Sequence, residues 1–427
     1  MNTTPTPASS ALLPQLTPEL ASKTPVWKIS PGGVDRFINS VAVSADGSKV
    51  VGGTFYHKYS GAESRRGPVP SGGPVTPSPN TGTFGTYCYN TAGTLLWKNE
   101  FTGWQGVYWV AVSADGTKAA SGGLMTQSPQ AGFVRAFDAT AGTLLLDYPT
   151  LLRVNQVALS GDGTWLVSAA ETLVLFKFDS TTAQYAKAAE FTPTTSPGLG
   201  SDSNGVVSVG LSLDGTTIVF ADYAGHLGVL SNANGTLTLL KQWKLPGDKG
   251  SDFCHMVDLT PDGKAFAAGG SLGVFYQCNT AQFVAEGRPT CTYSTSLPEA
   301  VYGVAISADG SVFAGVVNAG QAGRAYVVSV VDNAPQMTTL FTLQRNPNSA
   351  SLNLAHGLFA VADGHPDGTP GHFYLYSQVI GPGVPIVGPI LRWIYQTGNM
   401  SWPVVISANG NAVVGGSDDT YIYYFIP

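Results

Sequence analysis

One short phrase recurs seven times along this chain of 427 residues, and it restricts the fold more than any other feature. The copies are VAVSADGSKVVGG from Val41, VAVSADGTKAASGG from Val110, VALSGDGTWLVSAA from Val157, VGLSLDGTTIVFAD from Val209, VDLTPDGKAFAAGG from Val257, VAISADGSVFAGVV from Val304 and VVISANGNAVVGGS from Val404. In each copy two runs of alternating apolar and polar or small residues predict a pair of strands. The Ser/Thr-x-Asp/Asn-Gly segment between them predicts a tight turn. Ser, Thr and Asp side chains bind nearby backbone N–H groups, and Gly accepts the positive φ that closes a short hairpin. The repeat therefore predicts an all-β protein.

The spacing of the hairpins predicts a ring. The turn glycines are Gly47, Gly116, Gly163, Gly215, Gly263, Gly310 and Gly410, separated by 69, 47, 52, 48, 47 and 100 residues. Within the last gap, SLNLAHGLFAVAD places a degenerate copy with its turn at His356-Gly357. A period of about 40 to 50 residues with several strands per unit is typical of propeller blades. We therefore predict a single eight-bladed β-propeller of four-stranded antiparallel blades, with seven blades as the alternative if the unit around Gly357 is an embellishment.

The two ends of the chain predict how this ring closes. The last unit ends after its third strand, YIYYF (Tyr421 to Phe425). Near the N-terminus, PVWKI (Pro25 to Ile29) is similar to LLWKN, the fourth strand of the first unit. We expect Trp27 and its neighbours to complete the last blade, which also covers a strand edge that would invite aggregation. The predicted domains are a flexible N-terminal arm at 1–24 and a propeller at 25–427, with an insertion loop at 54–83.

Segments downstream of two hairpins show a further pattern. They are GTYCYNTAGTLLWK (Gly85 to Lys98) and GFVRAFDATAGTLLLDY (Gly132 to Tyr148). They resemble the quinoprotein-type (pyrroloquinoline-quinone-like) propeller repeat, in which an aromatic residue, an Asp or Asn, a Gly-centred turn and a Trp-bearing strand follow in order. The matching residues are Tyr89, Asn90, Gly93 and Trp97, then Phe137, Asp138 and Gly142, with Leu146 or Asp147 in place of the second Trp. The blade rhythm also resembles WD-repeat propellers, although no Trp-Asp dipeptide occurs.

Charge and hydropathy argue against two classes of partner. The formal net charge is −6 and only 11% of residues are charged, so no global basic field exists to hold nucleic acid or an anionic membrane. No apolar run approaches the ~20 residues that span a bilayer, and the first two dozen residues lack the pattern of a signal peptide. We expect no nucleic-acid and no membrane partner. The Ser/Thr/Gly-rich composition is similar to that of exported proteins, and the compartment stays open.

The four cysteines, Cys88, Cys254, Cys278 and Cys291, have no C-x-x-C spacing, which argues against a structural zinc site. Cys278 and Cys291 flank a predicted hairpin. Two interpretations stay open for them, a disulfide across two strands or buried free thiols.

The predicted binding site follows from propeller geometry. The innermost strand of each blade runs toward the tight first hairpin, so these hairpins gather on one face, the hairpin face. The opposite face, the loop face, collects the lead-in loops before each innermost strand and the loops between the second and third strands. Charged and aromatic residues of this low-charge chain concentrate there, which indicates a binding surface. The predicted binding residues are Asp35, Arg36, His57, Trp104, Tyr108, Arg153, Glu171, Asp222, Tyr223 and Asp418.

Two smaller sets of residues on the loop face have side chains suited to catalysis or to metal binding. The candidate catalytic residues are Asp252, His255, Glu299 and Tyr302. The candidate metal ligands are His365 and Asp367 in DGHPDGTPGH, a stretch that a turn-rich loop explains equally well. We predict no cofactor, with calcium or another divalent metal as the alternative. The recurring acids of the hairpins, such as Asp46 and Asp115, are instead predicted to bind their own turns.

Two functions fit these observations. The first is a binding or scaffold propeller that recognises a small molecule, a glycan or a protein on the loop face, since no nucleophile elbow, metalloprotease helix or phosphate loop occurs. The alternative is an enzyme (a lyase, hydrolase or oxidoreductase) with its active site in the central funnel of the same face. The quinone-dependent dehydrogenases that the resemblance implies carry adjacent cysteines and a calcium-bound acidic cluster, and adjacent cysteines are missing here. Convergence of catalytic candidates on one cavity would indicate an enzyme, and a broad aromatic surface a binder.

Overall fold

A computed structural model describes residues 23–33, 36–56, 82–127, 130–193, 205–246, 254–295, 299–319, 322–365, 368–377 and 390–427. Strands dominate these segments. Short helical turns also occur, at α1 (Thr280–Glu286) and at a 3₁₀ turn (Leu354–His356). Among the described residues, none of the helices has the length and apolar character needed to cross a membrane.

The strands of the first half of the chain are β1 (Trp27–Ile29), β2 (Phe37–Val43), β3 (Val50–Phe55), β4 (Gly82–Tyr89), β5 (Leu95–Gly103), β6 (Gly106–Val112), β7 (Lys118–Gln127), β8 (Gln130–Asp138), β9 (Leu144–Thr150), β10 (Gln156–Leu159), β11 (Trp165–Ala169), β12 (Leu173–Asp179), β13 (Gln184–Phe191), β14 (Val206–Leu211), β15 (Thr217–Asp222), β16 (His226–Ala233) and β17 (Thr236–Lys244). Those of the second half are β18 (Cys254–Leu259), β19 (Ala265–Gly270), β20 (Val274–Asn279), β21 (Cys291–Ser294), β22 (Val301–Ile306), β23 (Val312–Ala319), β24 (Ala322–Val331), β25 (Ala334–Leu343), β26 (Pro347–Asn353), β27 (Leu358–Asp363), β28 (His372–Ser377), β29 (Ile390–Gln396), β30 (Ser401–Ile406), β31 (Val413–Ser417) and β32 (Ile422–Phe425).

Strand pairing groups the described strands into eight four-stranded antiparallel sheets. They are sheet 1 (β2–β5), sheet 2 (β6–β9), sheet 3 (β10–β13), sheet 4 (β14–β17), sheet 5 (β18–β21), sheet 6 (β22–β25), sheet 7 (β26–β29) and sheet 8 (β30–β32 with β1). One bridge pair, Phe55 with Gly106, also joins sheets 1 and 2. The first strands of successive sheets contact each other in turn, and β30 contacts β2, so the innermost strands form a closed circle. The prediction of an all-β propeller is confirmed, and the degenerate unit around Gly357 belongs to a complete sheet.

An apolar layer fills the space between neighbouring sheets. Between sheets 3 and 4, Val167 and Leu175 pack in one buried cluster with Phe220. The same arrangement closes the ring, because Tyr424 of sheet 8 shares a buried cluster with Tyr87 of sheet 1. Strands buried on both faces account for the near-continuous apolar runs that the repeats show after their turns. These layers hold the sheets side by side and thereby fix the positions of the loops.

The closing strand lies where the sequence predicts it. β1 pairs antiparallel with β32, with Trp27 opposite Tyr424 and the two rings stacked at 5.2 Å. The Trp27 Nε1–H donates to the carbonyl of Thr91 at 3.0 Å, as that of Trp97 donates to the carbonyl of Ala139 at 2.8 Å. Each indole therefore anchors the outer strand of one sheet to the turn of the next. The similarity of PVWKI to LLWKN predicted this equivalence.

Glycine is required at the turn that each of these indoles covers. Gly93 and Gly142 have φ values of +76° and +73°. A Cβ on Gly142 would lie 2.5 Å from the Cβ of Trp97, and one on Gly93 would lie 2.9 Å from the Trp27 ring. The close approach of indole and backbone thus explains why these turns contain Gly.

The recurring turn acids bind their own hairpins, as predicted. In the first hairpin the hydroxyl of Ser44 donates to Asp46 at 2.6 Å, and the N–H of Lys49 donates back to Ser44 Oγ at 3.0 Å. Backbone hydrogen bonds also join one hairpin to the next, as from Ala45 N–H to the carbonyl of Ala114 at 3.0 Å. The hairpin face is therefore held by local turn chemistry and by contacts between adjacent sheets.

Of the two interpretations left open for Cys278 and Cys291, the structure supports the buried free thiols. Cys278 and Cys291 are both free and buried, as are Cys88 and Cys254. The register of β20 and β21 places Cys291 opposite Gln277, so Cys278 points to the other side of the sheet. Cys278 packs between sheets 4 and 5, and Cys291 between sheets 5 and 6. Burial raises the pKa of the Cys291 thiol to about 11, which keeps it protonated near neutral pH.

The predicted domain limits are covered only in part. β3 extends to Phe55 and β4 begins at Gly82, so both ends of the predicted insertion at 54–83 are strands of sheet 1. Residues 57–81, and residues 1–22 of the predicted arm, lie outside the described residues. At the described end of the arm, the N–H of Lys23 donates to the carbonyl of Ile394 in sheet 7 at 3.4 Å.

Candidate functional site

The lead-in loops and the loops between second and third strands contact each other. Gly364 N–H donates to the carbonyl of Asn346 at 2.8 Å, and Val206 N–H donates to the carbonyl of Ala170 at 2.7 Å. In sheet 8 the N–H of Asp418 donates to the carbonyl of Met400 at 2.9 Å. These bonds connect a lead-in loop with a second-to-third-strand loop in three places. The two kinds of loop therefore share one face, the loop face.

A cavity of about 30 Å³ opens on the loop face between sheets 2 and 5. Four neighbouring sheets and their loops line it. The lining residues are Tyr108, Trp109, Arg153, Asn155, Gln156, Val207, Tyr223, His255 and Met256. Four of the residues singled out in the sequence therefore meet here, namely Tyr108, Arg153 and Tyr223 from the binding group and His255 from the catalytic group.

The guanidinium of Arg153 is held on two sides in this cavity. Its Cζ lies 4.1 Å from the centroid of the Tyr108 ring, which is a cation–π contact. Its Nε and Nη2 donate to Asn155 Oδ1 at 3.2 and 3.1 Å. Asn155 is fixed in turn, because its Nδ2 donates to the carbonyl of Val206 at 2.9 Å. The result is a positively charged group with a defined orientation.

Tyr223 and His255 complete the wall of the cavity. Burial raises the pKa of the Tyr223 hydroxyl, and its interactions with Arg153 and Asn155 oppose that shift. The phenol thus remains a neutral hydrogen-bond donor near pH 7. The His255 ring lies 5.4 Å from the ring of Tyr302, which is itself buried. Glu299 lies two residues before β22, in the lead-in loop of sheet 6, and is half-buried.

Several predicted binding residues are instead bound within the fold. The carboxylate of Glu171 accepts the N–H groups of Leu151 and Leu152 at 2.9 and 3.0 Å. Asp222 accepts both the backbone N–H of His226, at 2.8 Å, and its ring Nδ1 at 3.1 Å. These two carboxylates organise the loops between second and third strands and are already hydrogen-bonded.

Two further predicted residues, Arg36 and Trp104, lie at the lead-in loops of sheets 1 and 2. The Nε of Arg36 donates to the carbonyl of Thr83 at 2.6 Å, and its guanidinium lies 4.5 Å from the Phe84 ring centroid. Trp104 is half-buried, and its N–H donates to the carbonyl of Met125 at 2.8 Å. Neither residue lines the cavity between sheets 2 and 5.

Four predicted site residues, Asp35, His57, Asp252 and Asp367, lie outside the described residues. His365, the other candidate metal ligand, is exposed beside Gly364. Within the described ranges, no group of three or more His, Cys, Asp or Glu side chains is placed to hold a metal ion. The metal alternative therefore stays a prediction.

A buried carboxylate in sheet 7 was not among the predicted site residues. Asp363 accepts four hydrogen bonds, from the N–H and ring Nδ1 of His372 at 2.8 and 3.0 Å, from the Tyr374 hydroxyl at 2.7 Å and from the N–H of Arg345 at 3.0 Å. Asp222 of sheet 4 occupies the corresponding place with His226. An Asp at the end of a second strand with a His at the start of the third is the pattern that marks both.

The innermost strands bind each other through side chains. Nδ2 of Asn39 donates to the carbonyl of Tyr108 at 2.7 Å, and the N–H of Val110 donates to Ser40 Oγ at 3.0 Å. In the same way, the N–H of Val257 donates to Ser208 Oγ at 2.9 Å. These bonds occupy backbone groups that face the next sheet. At those positions, a partner strand cannot pair with the innermost edge without displacing a side chain.

Between sheets 5 and 6 the side chain that binds the neighbouring innermost strand is that of Asp258. Its Oδ2 accepts the N–H of Ile306 at 2.9 Å, and its Oδ1 accepts the N–H of Leu259 at 3.0 Å. The corresponding position of the other quoted repeats holds Ala, Gly or Val, as in VAVSADG and VVISANG. Burial raises the pKa of the Asp258 carboxyl to about 6. An acid at a position otherwise filled by small or apolar residues is the pattern that could have revealed it.

We expect Asp258→Asn to change how stability depends on pH. The carboxyl pKa is raised from 3.8 to about 6 in the fold, so the unfolded chain ionises first as the pH rises. The free energy of unfolding of the wild type should therefore fall between about pH 4 and pH 7 by up to ~3 kcal/mol, a loss that Asn avoids. Urea unfolding at pH 4, 5.5 and 7.5 measures the difference. Two parallel profiles would contradict the assignment.

Comparison with known proteins bears on the fold. No protein-family model matches the chain, and no curated protein matches it either. Among solved structures, Sqt1 of Chaetomium thermophilum is 13% identical with a TM-score of 0.66 over 93% of this chain and 98% of that one. A second C. thermophilum structure shows Sqt1 bound to the N-terminus of the ribosomal protein L10. It is 12% identical with a TM-score of 0.67 over 93% of this chain and 98% of that one. Sqt1 of Saccharomyces cerevisiae is 9% identical with a TM-score of 0.66 over 95% of this chain and 100% of that one.

At this level of identity the likeness shows the fold alone. The likeness supports the predicted β-propeller fold. The finer resemblances, to WD-repeat and to quinoprotein-type propellers, stay predictions.

Proposed function

We propose that this chain is a partner-binding propeller that holds a polypeptide segment on its loop face. The observation that carries the proposal is the convergence of Tyr108, Arg153, Tyr223 and His255 on one cavity between sheets 2 and 5. Tyr and Arg are among the residue types that dominate the energetics of protein interfaces. Here they come from four different sheets, so the rigid ring sets their spacing and little order has to be gained on binding.

The size of the cavity favours a polypeptide. Sites for drug-sized ligands measure about 300–1,000 Å³, whereas this cavity has about 30 Å³ among the described residues. That space admits the tip of a side chain or a chain end. The remainder of a polypeptide would lie across the surrounding loops. The small-molecule and glycan partners, and the enzyme alternative with Asp252, His255, Glu299 and Tyr302, stay predictions.

The structural comparison supports the same class of partner. Sqt1 of C. thermophilum, with a TM-score of 0.67 to this chain, is bound in its structure to the N-terminus of a ribosomal protein. A propeller of similar shape therefore holds the end of a polypeptide. For this chain we propose the class of partner and not the identity of that one.

Selection of peptides against the immobilised full-length protein tests the proposal. A display library of random 12-residue peptides supplies the probes, and fluorescence anisotropy gives the Kd of those selected. We expect Tyr108→Ala to weaken binding by about 10- to 100-fold, because the ring forms one wall of the cavity and supports Arg153. Lys264→Ala, at an 80% exposed side chain of the hairpin face, is the matched control and should bind like the wild type. A library without binders, or peptides that bind Tyr108→Ala as tightly as the wild type, would refute the site.

A further inference from the structure

The guanidinium of Arg153 is a charged group in the wall of the cavity, and Asn155 binds only two of its N–H donors. Arg153 directs Nε and one N–H of Nη2 to Asn155 Oδ1. A guanidinium carries five N–H donors in a planar fork. Both N–H groups of Nη1 and the second of Nη2 are not directed at Asn155, and the Tyr223 hydroxyl also interacts with this guanidinium. The end of the fork formed by Nη1 and Nη2 is the end that binds a carboxylate with two parallel hydrogen bonds.

The charge of Arg153 is not balanced by the described part of the chain. The ion pairs formed there include Arg135 with Asp147 and Arg288 with Glu286, and none of them involves Arg153. Glu171, in the second-to-third-strand loop of the same sheet, is already engaged, since its carboxylate accepts the N–H groups of Leu151 and Leu152. A cation that is oriented by Asn155 and left without a counter-charge in these residues has the electrostatic character of an anion-binding group.

The other walls fit a carboxylate as well. The neutral hydroxyl of Tyr223 interacts with Arg153, and its raised pKa keeps a proton that it can donate to an anion. A cavity of 30 Å³ has room for about two waters, which is close to the space that two carboxylate oxygens need. The ring of Tyr108 covers one face of the guanidinium, so an anion would approach it in the plane of the fork.

We propose that Arg153 is the anchor for a carboxylate of the bound polypeptide, from a Glu or Asp side chain or from a free C-terminus. This inference rests on the proposed function and adds the chemistry of the anchor. An acidic or chain-terminal group would bind end-on to Nη1 and Nη2, with Tyr223 as a further donor. Because the guanidinium is already oriented, little side-chain entropy is lost when the carboxylate binds.

Matched peptides separate the two sources of the carboxylate. Each peptide selected against the wild type is made with every Glu and Asp changed to Gln and Asn, and separately with an amidated C-terminus. Anisotropy gives the Kd of each form for the wild type, Arg153→Gln and Arg288→Gln. The last variant makes the same change at an arginine that is 66% exposed and paired with Glu286 outside the cavity. Thermal unfolding of each variant confirms that it is folded.

We expect one of the two peptide changes to weaken binding to the wild type and to Arg288→Gln by about 10- to 100-fold. In Arg153→Gln the same change should alter the Kd by less than about 2-fold, because the two groups then no longer interact. Sensitivity to the acidic side chains identifies a Glu or Asp anchor, and sensitivity to amidation identifies a chain end.

Other results overturn the inference. If removal of the carboxylate weakens binding equally in the wild type and in Arg153→Gln, the anion binds elsewhere. If neither peptide change matters while Tyr108→Ala still abolishes binding, the carboxylate anchor fails and the proposed function survives. If no peptide is selected at all, both fail. If Arg153→Gln does not fold, Arg153→Lys replaces it, and its point charge should retain binding but lose the bidentate part, about 5-fold or more.

Discussion

Replacement of Asp363 by Ala should lower the free energy of unfolding by about 3–5 kcal/mol, the largest effect that we expect from one polar side chain in this protein. The carboxylate is fully buried and accepts four hydrogen bonds. Its removal leaves the Tyr374 hydroxyl, two donors of His372 and the N–H of Arg345 without their acceptor. Each buried donor that loses its partner costs about 1–3 kcal/mol unless water reaches it. The midpoint of urea unfolding, with the m-value held as a check, measures the loss.

The corresponding site in sheet 4 provides the matched control. Asp222 accepts two groups of His226 but lacks the counterpart of Tyr374, since Gly228 lies at the corresponding position. Asp222→Ala should therefore cost about 1–3 kcal/mol, less than Asp363→Ala. Equal losses at the two sites would show that the extra bonds of Asp363 contribute nothing.

Trp27→Ala should open the junction between the two ends of the chain. The Trp27 ring stacks on Tyr424 at 5.2 Å, lies 5.8 Å from Tyr89, and donates to Thr91. Because the side chain is half-buried, we expect a loss of about 2–3 kcal/mol, below the ~3–5 kcal/mol for a fully buried tryptophan. The effect should also be local. Backbone amides of β32 should exchange with deuterium faster, since β1 is the strand that covers its outer edge.

Val26→Ala is the control for this junction, because Val26 is adjacent in sequence and 53% exposed. It should leave both the unfolding midpoint and the exchange of β32 within error of the wild type. Exchange that rises uniformly over all sheets in Trp27→Ala would argue against a local opening and in favour of general destabilisation.

Local features of the fold were predictable because local chemistry decides them. The Ser44–Asp46 hydrogen bond and the positive φ of Gly47 involve neighbours in the chain, so a four-residue pattern is enough to specify the hairpin. The equivalence of Trp27 and Trp97 could also be recognised, since both strands repeat the same short sequence. The even spacing of these units then indicated a ring, and with it which loops share a face.

The tertiary structure decided which loop residues remain available to a partner. The sequence placed Glu171 and Arg153 together among the predicted binding residues. In the structure the carboxylate of Glu171 binds backbone N–H groups of the fold, whereas the guanidinium of Arg153 faces a cavity. The sequence also placed Cys278 and Cys291 within reach of a disulfide, although a one-residue difference in register sends them to opposite sides of a sheet.

The sequence by itself determined an all-β ring of Gly-closed hairpins and its closure by an N-terminal strand, and it predicts the face on which a site would lie. The tertiary structure alone decided that Tyr108, Arg153, Tyr223 and His255 meet, that Asp363 is a buried acceptor of four bonds, and that Asp258 links two sheets. The physical reason is the range of the interactions. A turn is determined by interactions between adjacent residues. The hydrogen-bond partners of a loop side chain are instead supplied by neighbouring sheets, which lie about 50 residues apart in the chain.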